Sequence, residues 1–219
     1  MKAAVLRDVR RDEKTWAVTL TGTRPIMFDR YAGDNQTKLV WWEKLYFMPN
    51  TKQIALPSLN IMSFLSAHNT NSAPKRLRDK RKYKDIANAC LAFVSIDEEF
   101  IPFLRDGAPI EFGVPVDASD EKSKVWRHRL TVPIGAPVDR DESSGVFRRF
   151  DVARLDKGIP NPKDRPVLPL PWALSFTLRL AANEEIQETE IKNLFIEGGR
   201  AIGLGTFRGV FGKFDVVID

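Results

Sequence analysis

The residues with most chemical promise lie near the end of the chain, in Ile202-Gly203-Leu204-Gly205-Thr206-Phe207-Arg208-Gly209-Val210-Phe211-Gly212-Lys213-Phe214. Gly203, Gly205, Gly209 and Gly212 are four glycines within ten residues. Glycine accepts positive φ and lets another backbone come close. Consecutive amides in such a loop can form a nest for an anion. Arg208 and Lys213 add positive charge, and Phe207 and Phe211 offer faces for stacking. Two nucleotide motifs fail here. Gly203 and Gly205 begin a GxGxxG pattern, but Arg stands at 208, and the loop follows a helical pattern rather than a strand. Gly212-Lys213 is followed by Phe214 instead of Ser or Thr, and Phe207 stands where a P-loop needs glycine. A tight helix-to-strand connection accounts for the same glycines without any ligand.

A second cluster is Lys75-Arg76-Leu77-Arg78-Asp79-Lys80-Arg81-Lys82-Tyr83-Lys84, with seven basic residues and one acid. Such a run is an electrostatic footprint for phosphates, or else a solvated linker. Trp126-Arg127-His128-Arg129 interleaves aromatic and basic residues, as single-strand binders do; a half-buried strand with wet charges explains it too. Trp41-Trp42, beside Lys38 and Lys44, reads as core filler ahead of an exposed platform. Asp139-Arg140-Asp141-Glu142 has the oxygen chemistry for magnesium, but it reads better as a solvated acidic turn. The only histidines are His68 and His128, and no HExxH motif is present, so no metal or other cofactor is expected. The single cysteine, Cys90, excludes an intrachain disulfide and any multi-cysteine zinc site; it reads as a small buried hydrophobe.

The elements that must position these residues follow from periodicity. Trp16-Ala17-Val18-Thr19-Leu20-Thr21 alternates as a half-buried strand, after an N-terminal arm of mixed charge. Lys44 to Met48 and Gln53 to Leu56 flank Pro49-Asn50-Thr51-Lys52 as a small hairpin. Ser58 is a candidate helix cap, with Leu59, Ile61, Met62 and Leu65 as the apolar stripe and a stop near His68 to Asn71. A helix is expected through Ile86 to Phe93, then strands at Ala108 to Val116 and Val125 to Ile134. Residues 135–171 are rich in proline, glycine and charge and poor in periodicity; they read as an extended insertion, in the form of a mobile hairpin. Trp172 to Leu180 alternates almost without fault, residues 189–202 follow at helical spacing, and Lys213 to Ile218 closes as a strand. Gly198-Gly199 inside the helical pattern weakens the helix or admits a close neighbour.

With the hairpin and insertions removed, the order is strand-helix-strand-strand-helix-strand. This predicts one α+β domain over residues 1–219 with a ferredoxin-like antiparallel sheet and both helices on one face. Trp16, Val18, Leu20, Leu174, Phe176, Phe214 and Val216 should face those helices. The opposite face, Thr15, Ala17, Thr19, Ser175, Thr177 and Arg179, lacks the stacking aromatics of an RNA-recognition motif. No apolar run reaches the ~20 residues of a membrane span. The charged N-terminus does not suit a signal peptide, so a cytoplasmic setting without membrane attachment is expected. A net charge of +5, from 34 basic against 29 acidic residues, leans mildly towards an anionic partner.

The pattern hydrophobic-Gly-x-Gly, a short gap, then Gly-x-x-Gly before a last strand resembles the glycine-rich loop of the RAMP superfamily. These are the ferredoxin-like, repeat-associated RNA-binding proteins of CRISPR systems. Gly203, Gly205, Gly209 and Gly212 carry the match, Leu56-Pro57-Ser58 is a weaker second one, and uncharacterised phage proteins end in a similar stretch. The spacing from Gly209 to Gly212 departs from the commonest form of the loop, and Leu56-Pro57-Ser58 lacks the glycine usual there. The resemblance implies a loop that packs beside the first helix and touches RNA. Together with the charge pattern it leads to an expected function: non-catalytic binding of single-stranded RNA or DNA, directed at the backbone, as a homo-oligomer or a subunit of a larger complex. Lys75, Arg76, Arg78, Lys80, Arg81, Lys82, Lys84, Arg127, Arg129, Arg208 and Lys213 are the expected contacts. Two alternatives stand beside it. RAMP endoribonucleases often use a histidine as general base, for which His68 is the candidate here, although a helix-terminal histidine is also a simple dipole partner. A phage structural or assembly protein is the other.

Overall fold

The computed structural model describes residues 13–34, 37, 39–68, 71–113, 137–154 and 160–219. The first half of the chain gives β1 Lys14–Gly22, β2 Ile26–Met27, β3 Ala55–Pro57, α1 Ser58–Ser66, α2 Ala73–Leu77 and α3 Tyr83–Phe93. Short strands follow at β4 Val94–Ile96, β5 Phe100–Pro102, β6 Leu104–Arg105 and β7 Ala108–Pro109. The second half gives β8 Pro137–Arg140, β9 Phe147–Arg154, β10 Pro160–Leu168, β11 Ala173–Leu180, α4 Glu188–Ala201 and β12 Phe214–Ile218. The architecture is α+β, and every pairing between strands is antiparallel.

The alternating segments build the main sheet. Lys14 to Thr21 of β1 pair with Leu180 to Ala173 of β11, and Val18 to Gly22 pair with Ile218 to Phe214 of β12. On the far side of β11, β4 pairs with Leu178–Leu180 and β6 with Ala173. The order is therefore β12-β1-β11, then β4. Val18, Leu20, Leu174, Phe176, Leu178 and Phe214 are buried; Trp16 and Val216 are half-buried and pack on the same core. Helices α1 and α4 cover that face. Phe64 of α1 lies 5.8 Å from Phe195 of α4 and 5.9 Å from Phe214, and Phe195 lies 6.3 Å from Phe176. Gly198-Gly199 is where the helix comes closest: a Cβ at Gly198 would stand 2.5 Å from the Phe64 ring, and one at Gly199 would stand 2.5 Å from the Phe214 carbonyl. The opposite face is hydroxyl-bearing, with Thr19 Oγ1 and Ser175 Oγ 3.2 Å apart.

Several expectations need correction. Ser58 is the first helical residue, not the cap: Pro57 precedes it, and the Ser58 hydroxyl donates to the Glu99 carbonyl at 3.2 Å. Helix α1 stops at Ser66, and its buried stripe is Ile61, Phe64 and Leu65, while Leu59 is 76% exposed. The expected hairpin is present but short: Phe47 and Ile54 bridge, with Met48 donating to Gln53 and Ala55 to Tyr46 at 2.9 Å, and Ala55–Pro57 goes on to pair with β5. Of the described part of the strand expected over Ala108 to Val116, residues 108–113, Ala108–Pro109 forms a strand and Glu111 is bridged to Gln53; residues 114–116 and the strand expected over Val125 to Ile134 lie outside the described residues.

The largest correction concerns residues 135–171. Strands β8, β9 and β10 join β2 in a second, four-stranded sheet ordered β2-β10-β9-β8. Its buried side is partly ionic: Arg148 grips Asp164 with two bonds of 2.8 and 2.9 Å. Lys44 donates to the Asp164 carbonyl, and Asp29 takes a bond of 2.9 Å from Arg165. Burial holds the Lys44 ammonium below its ordinary pKa, against the opposing pull of Asp29 and Asp164. The hairpin expected here is β9 with β10; what the sequence hides is its place in a sheet, because a strand whose inward residues include Arg and Asp shows no hydrophobic alternation.

Candidate functional site

The glycine-rich loop connects α4 to β12 and runs along the turn from β1 to β2. Gly203, Gly205, Gly209 and Gly212 all take positive φ, at +85°, +77°, +94° and +67°. Three of them have no room for a side chain. A Cβ would stand 2.6 Å from the Gly212 backbone at Gly203, 2.5 Å from the Met27 carbonyl at Gly205, and 2.1 Å from the Leu204 carbonyl at Gly212. Gly209 differs, since a Cβ there meets nothing within 4 Å.

Seven of the amides of this loop are spent inside the protein. Gly203 donates to Gly198, Leu204 to Gly212, Thr206 to Met27, Gly209 to Ile202 and Gly212 to Pro25. Val210 and Phe211 both donate to the Phe207 carbonyl. These seven amides hold the loop to its neighbours, so the nest expected from the glycine spacing is not built from them. Arg208 also turns inward. Its guanidinium donates to the Gly205 carbonyl at 3.1 Å and to the Asn71 carbonyl at 2.8 Å, and burial lowers its pKa from the ordinary arginine value. It braces the loop against the connection between α1 and α2. Lys213 is half-buried, with its carbonyl accepting from Thr23 and Arg24.

That brace leads directly to the basic run. Lys75 and Arg76 lie in α2, Arg78 to Lys82 in the turn behind it, and Tyr83-Lys84 open α3. The run is divided in two by its contacts. Arg78 belongs to the fold: it reaches Glu190 at 2.6 Å and Glu197 at 2.9 Å on α4. The hydrogen bonds it donates to Glu197, against the opposing cost of burial, and then to Glu190 raise its pKa further. Lys75 is half-buried, donates to the His68 carbonyl at 3.0 Å and lies 5.2 Å from the Tyr83 ring centre. Arg76, Lys80, Arg81, Lys82 and Lys84 are exposed, and their side chains have no partner among the described residues.

His68 sits two residues beyond α1, with Nε2 2.9 Å from Asn88 Oδ1 and its ring edge-on to Tyr83 at 6.4 Å. Sequence reasoning missed Tyr83 and Asn88 as its neighbours. The signal was an aromatic residue inside a basic run.

Other candidates take structural roles or fall outside the description. Arg127, His128, Arg129 and Lys38 lie outside the described residues. Trp41 is buried and Trp42 stacks on Phe112 at 6.5 Å. Asp141 organises a turn: burial would raise its carboxyl, but bonds from Ser144, Ser143 and the Gly113 amide outweigh that and hold it below its ordinary value. Burial pushes the Cys90 thiol up to about 12, so at neutral pH it is an inert thiol. No helix among the described residues is long and apolar enough to cross a membrane. No family model matches the chain, and no curated protein matches it either.

Proposed function

We propose that this chain binds single-stranded RNA or DNA through the backbone, without catalysis and with little sequence specificity, as a homo-oligomer or a subunit of a nucleoprotein assembly. The observation that carries the reading is the split in the basic run. Five exposed cations, Arg76, Lys80, Arg81, Lys82 and Lys84, stand together without acidic partners among the described residues, on a surface braced to the glycine-rich loop. Unpaired cations held on an ordered surface suit phosphates spaced along a strand. The strand order β12-β1-β11-β4, with α1 and α4 on one face, supports a ferredoxin-like reading of the main sheet. The resemblance to RAMP proteins adds to it through Gly203, Gly205, Gly209 and Gly212.

The test is fluorescence anisotropy of a labelled oligonucleotide across a salt series. Affinity should fall log-linearly, with a slope of ~0.7 per phosphate contact. Affinity indifferent to salt, or no binding at about 50 mM salt, would sink the reading.

One observation favours a second reading, a metal-independent endoribonuclease. His68 has Tyr83 and Lys75 beside it, a set able to move a proton and neutralise a phosphorane-like charge. Cleavage of RNA that survives EDTA and vanishes in His68→Ala would replace the first reading with this one.

A further inference from the structure

We propose that the ring of Phe207 is a stacking platform for one unpaired nucleobase, placed beside the phosphate-binding cations. The proposal rests on the nucleic-acid-binding reading and adds a base contact to it. Phe207 is 55% exposed at the tip of the glycine-rich loop. It holds φ +55°, a conformation that a bulky L residue rarely adopts. The fold gains little from an aromatic ring at that point, since asparagine or glycine would sit there with less strain and no exposed apolar surface.

The ring is the open end of a ladder. Phe207 lies 6.2 Å from Phe211 at 43°, and the Arg149 guanidinium lies 5.3 Å from the centre of the Phe211 ring. Phe211 is buried against Met27, Val167 and Phe147, so the inner rung is fixed by the second sheet. The space about the tip is clear: a Cβ at Gly209 would meet nothing within 4 Å, and Val210 is 58% exposed. A flat ring added to Phe207 would continue the ladder outward. The charge around it selects the kind of ring. Arg208 joins the loop to the Asn71 carbonyl, and the exposed cations of the basic run begin five residues further on, at Arg76. A base stacked on Phe207 would therefore have its flanking phosphates drawn towards that side. Such stacking is sequence-tolerant, because every base has a π-face.

The test uses the full chain and two labelled probes of equal charge, a thymidine dodecamer and a fully abasic deoxyribose-phosphate dodecamer. The wild type should bind the thymidine probe ~5- to ~140-fold more tightly, the span expected for one stacked base. Phe207→Trp should keep that preference. Phe207→Ala should abolish it, leaving affinity for the abasic probe and the salt slope unchanged. Phe207→Asn, which suits the left-handed conformation, gives the same readout should the alanine variant not fold. Equal binding of the two probes by the wild type, or a preference that persists in Phe207→Asn, would overturn the stacking site while salt-dependent binding left the backbone reading intact. Failure of both probes to bind at about 50 mM salt would overturn both.

Discussion

The glycine-rich loop is tied by Arg208 to Asn71, just ahead of the basic turn, yet loop and turn are built in opposite ways. In the loop, the groups that look free in sequence are consumed. Seven amides donate to carbonyls of the protein, and the arginine is spent on two more. In the basic turn, five of the seven cations remain exposed without partners among the described residues. The loop's chemistry is therefore architectural and the turn's is available. A residue's type states what it can donate or accept, but only its partners state whether anything is left to give.

The widest gap should lie inside the loop. Gly212→Ala puts a Cβ 2.1 Å from the Leu204 carbonyl at φ +67°, and the clash is with backbone that cannot rotate away. We expect a loss of about 3 kcal/mol or more in chemical denaturation. Gly209→Ala meets open space, so only the left-handed conformation is penalised, at about 1–2 kcal/mol. Equal losses at the two positions would show that the loop is not locked as described.

Next come the two internal arginines. Arg208→Ala removes two charge-assisted bonds to carbonyls, worth about 1–2 kcal/mol. Arg78→Ala removes pairs to glutamates that are themselves partly exposed, so screening limits the loss to about 1 kcal/mol. In a chain of this size that is a fall in Tm of ~2–4 °C per kcal/mol. Both variants should keep the wild-type salt slope for oligonucleotide binding. A slope reduced by ~0.7 in a stably folded Arg208→Ala would return Arg208 to the surface as a phosphate contact.

The legibility of these regions follows the range of their contacts. Strand β11 was plain because all its inward residues, Leu174, Phe176, Leu178 and Leu180, are apolar. The glycines mark a backbone constraint because Gly203, Gly205 and Gly212 hold positive φ with no room for a side chain, while Gly209 holds positive φ alone. What consumes the Thr206 and Gly212 amides was invisible, since their acceptors, Met27 and Pro25, lie far along the chain. Arg78 looked like its neighbours because Glu190 and Glu197 are 112 and 119 residues away. The second sheet was missed because it hides an ion pair, Arg148 with Asp164, where periodicity looks for aliphatic side chains. Leu59 failed in the other direction: helical spacing put it on the buried stripe, but α1 turns it to solvent.

The smallest effect on stability should come from the part with the largest role in binding. Replacing Arg76, Lys80, Arg81, Lys82 and Lys84 together by glutamine removes no ion pair or side-chain hydrogen bond among the described residues. Like charges crowded along one turn repel each other, so their removal should leave stability within about 0.5 kcal/mol of wild type or raise it slightly. Binding should respond in the opposite sense. Each cation that meets a phosphate releases condensed counterions, and its loss takes ~0.7 from the single-strand salt slope. The variant should therefore bind more weakly at low salt and converge with the wild type as salt rises, because the lost contribution is the one that salt screens away. Anisotropy titrations at several salt concentrations read both features at once. A quintuple variant with the wild-type slope would mean that the exposed cations are only a solvated face and that any strand contact lies elsewhere, with Lys213 the next candidate beside the loop.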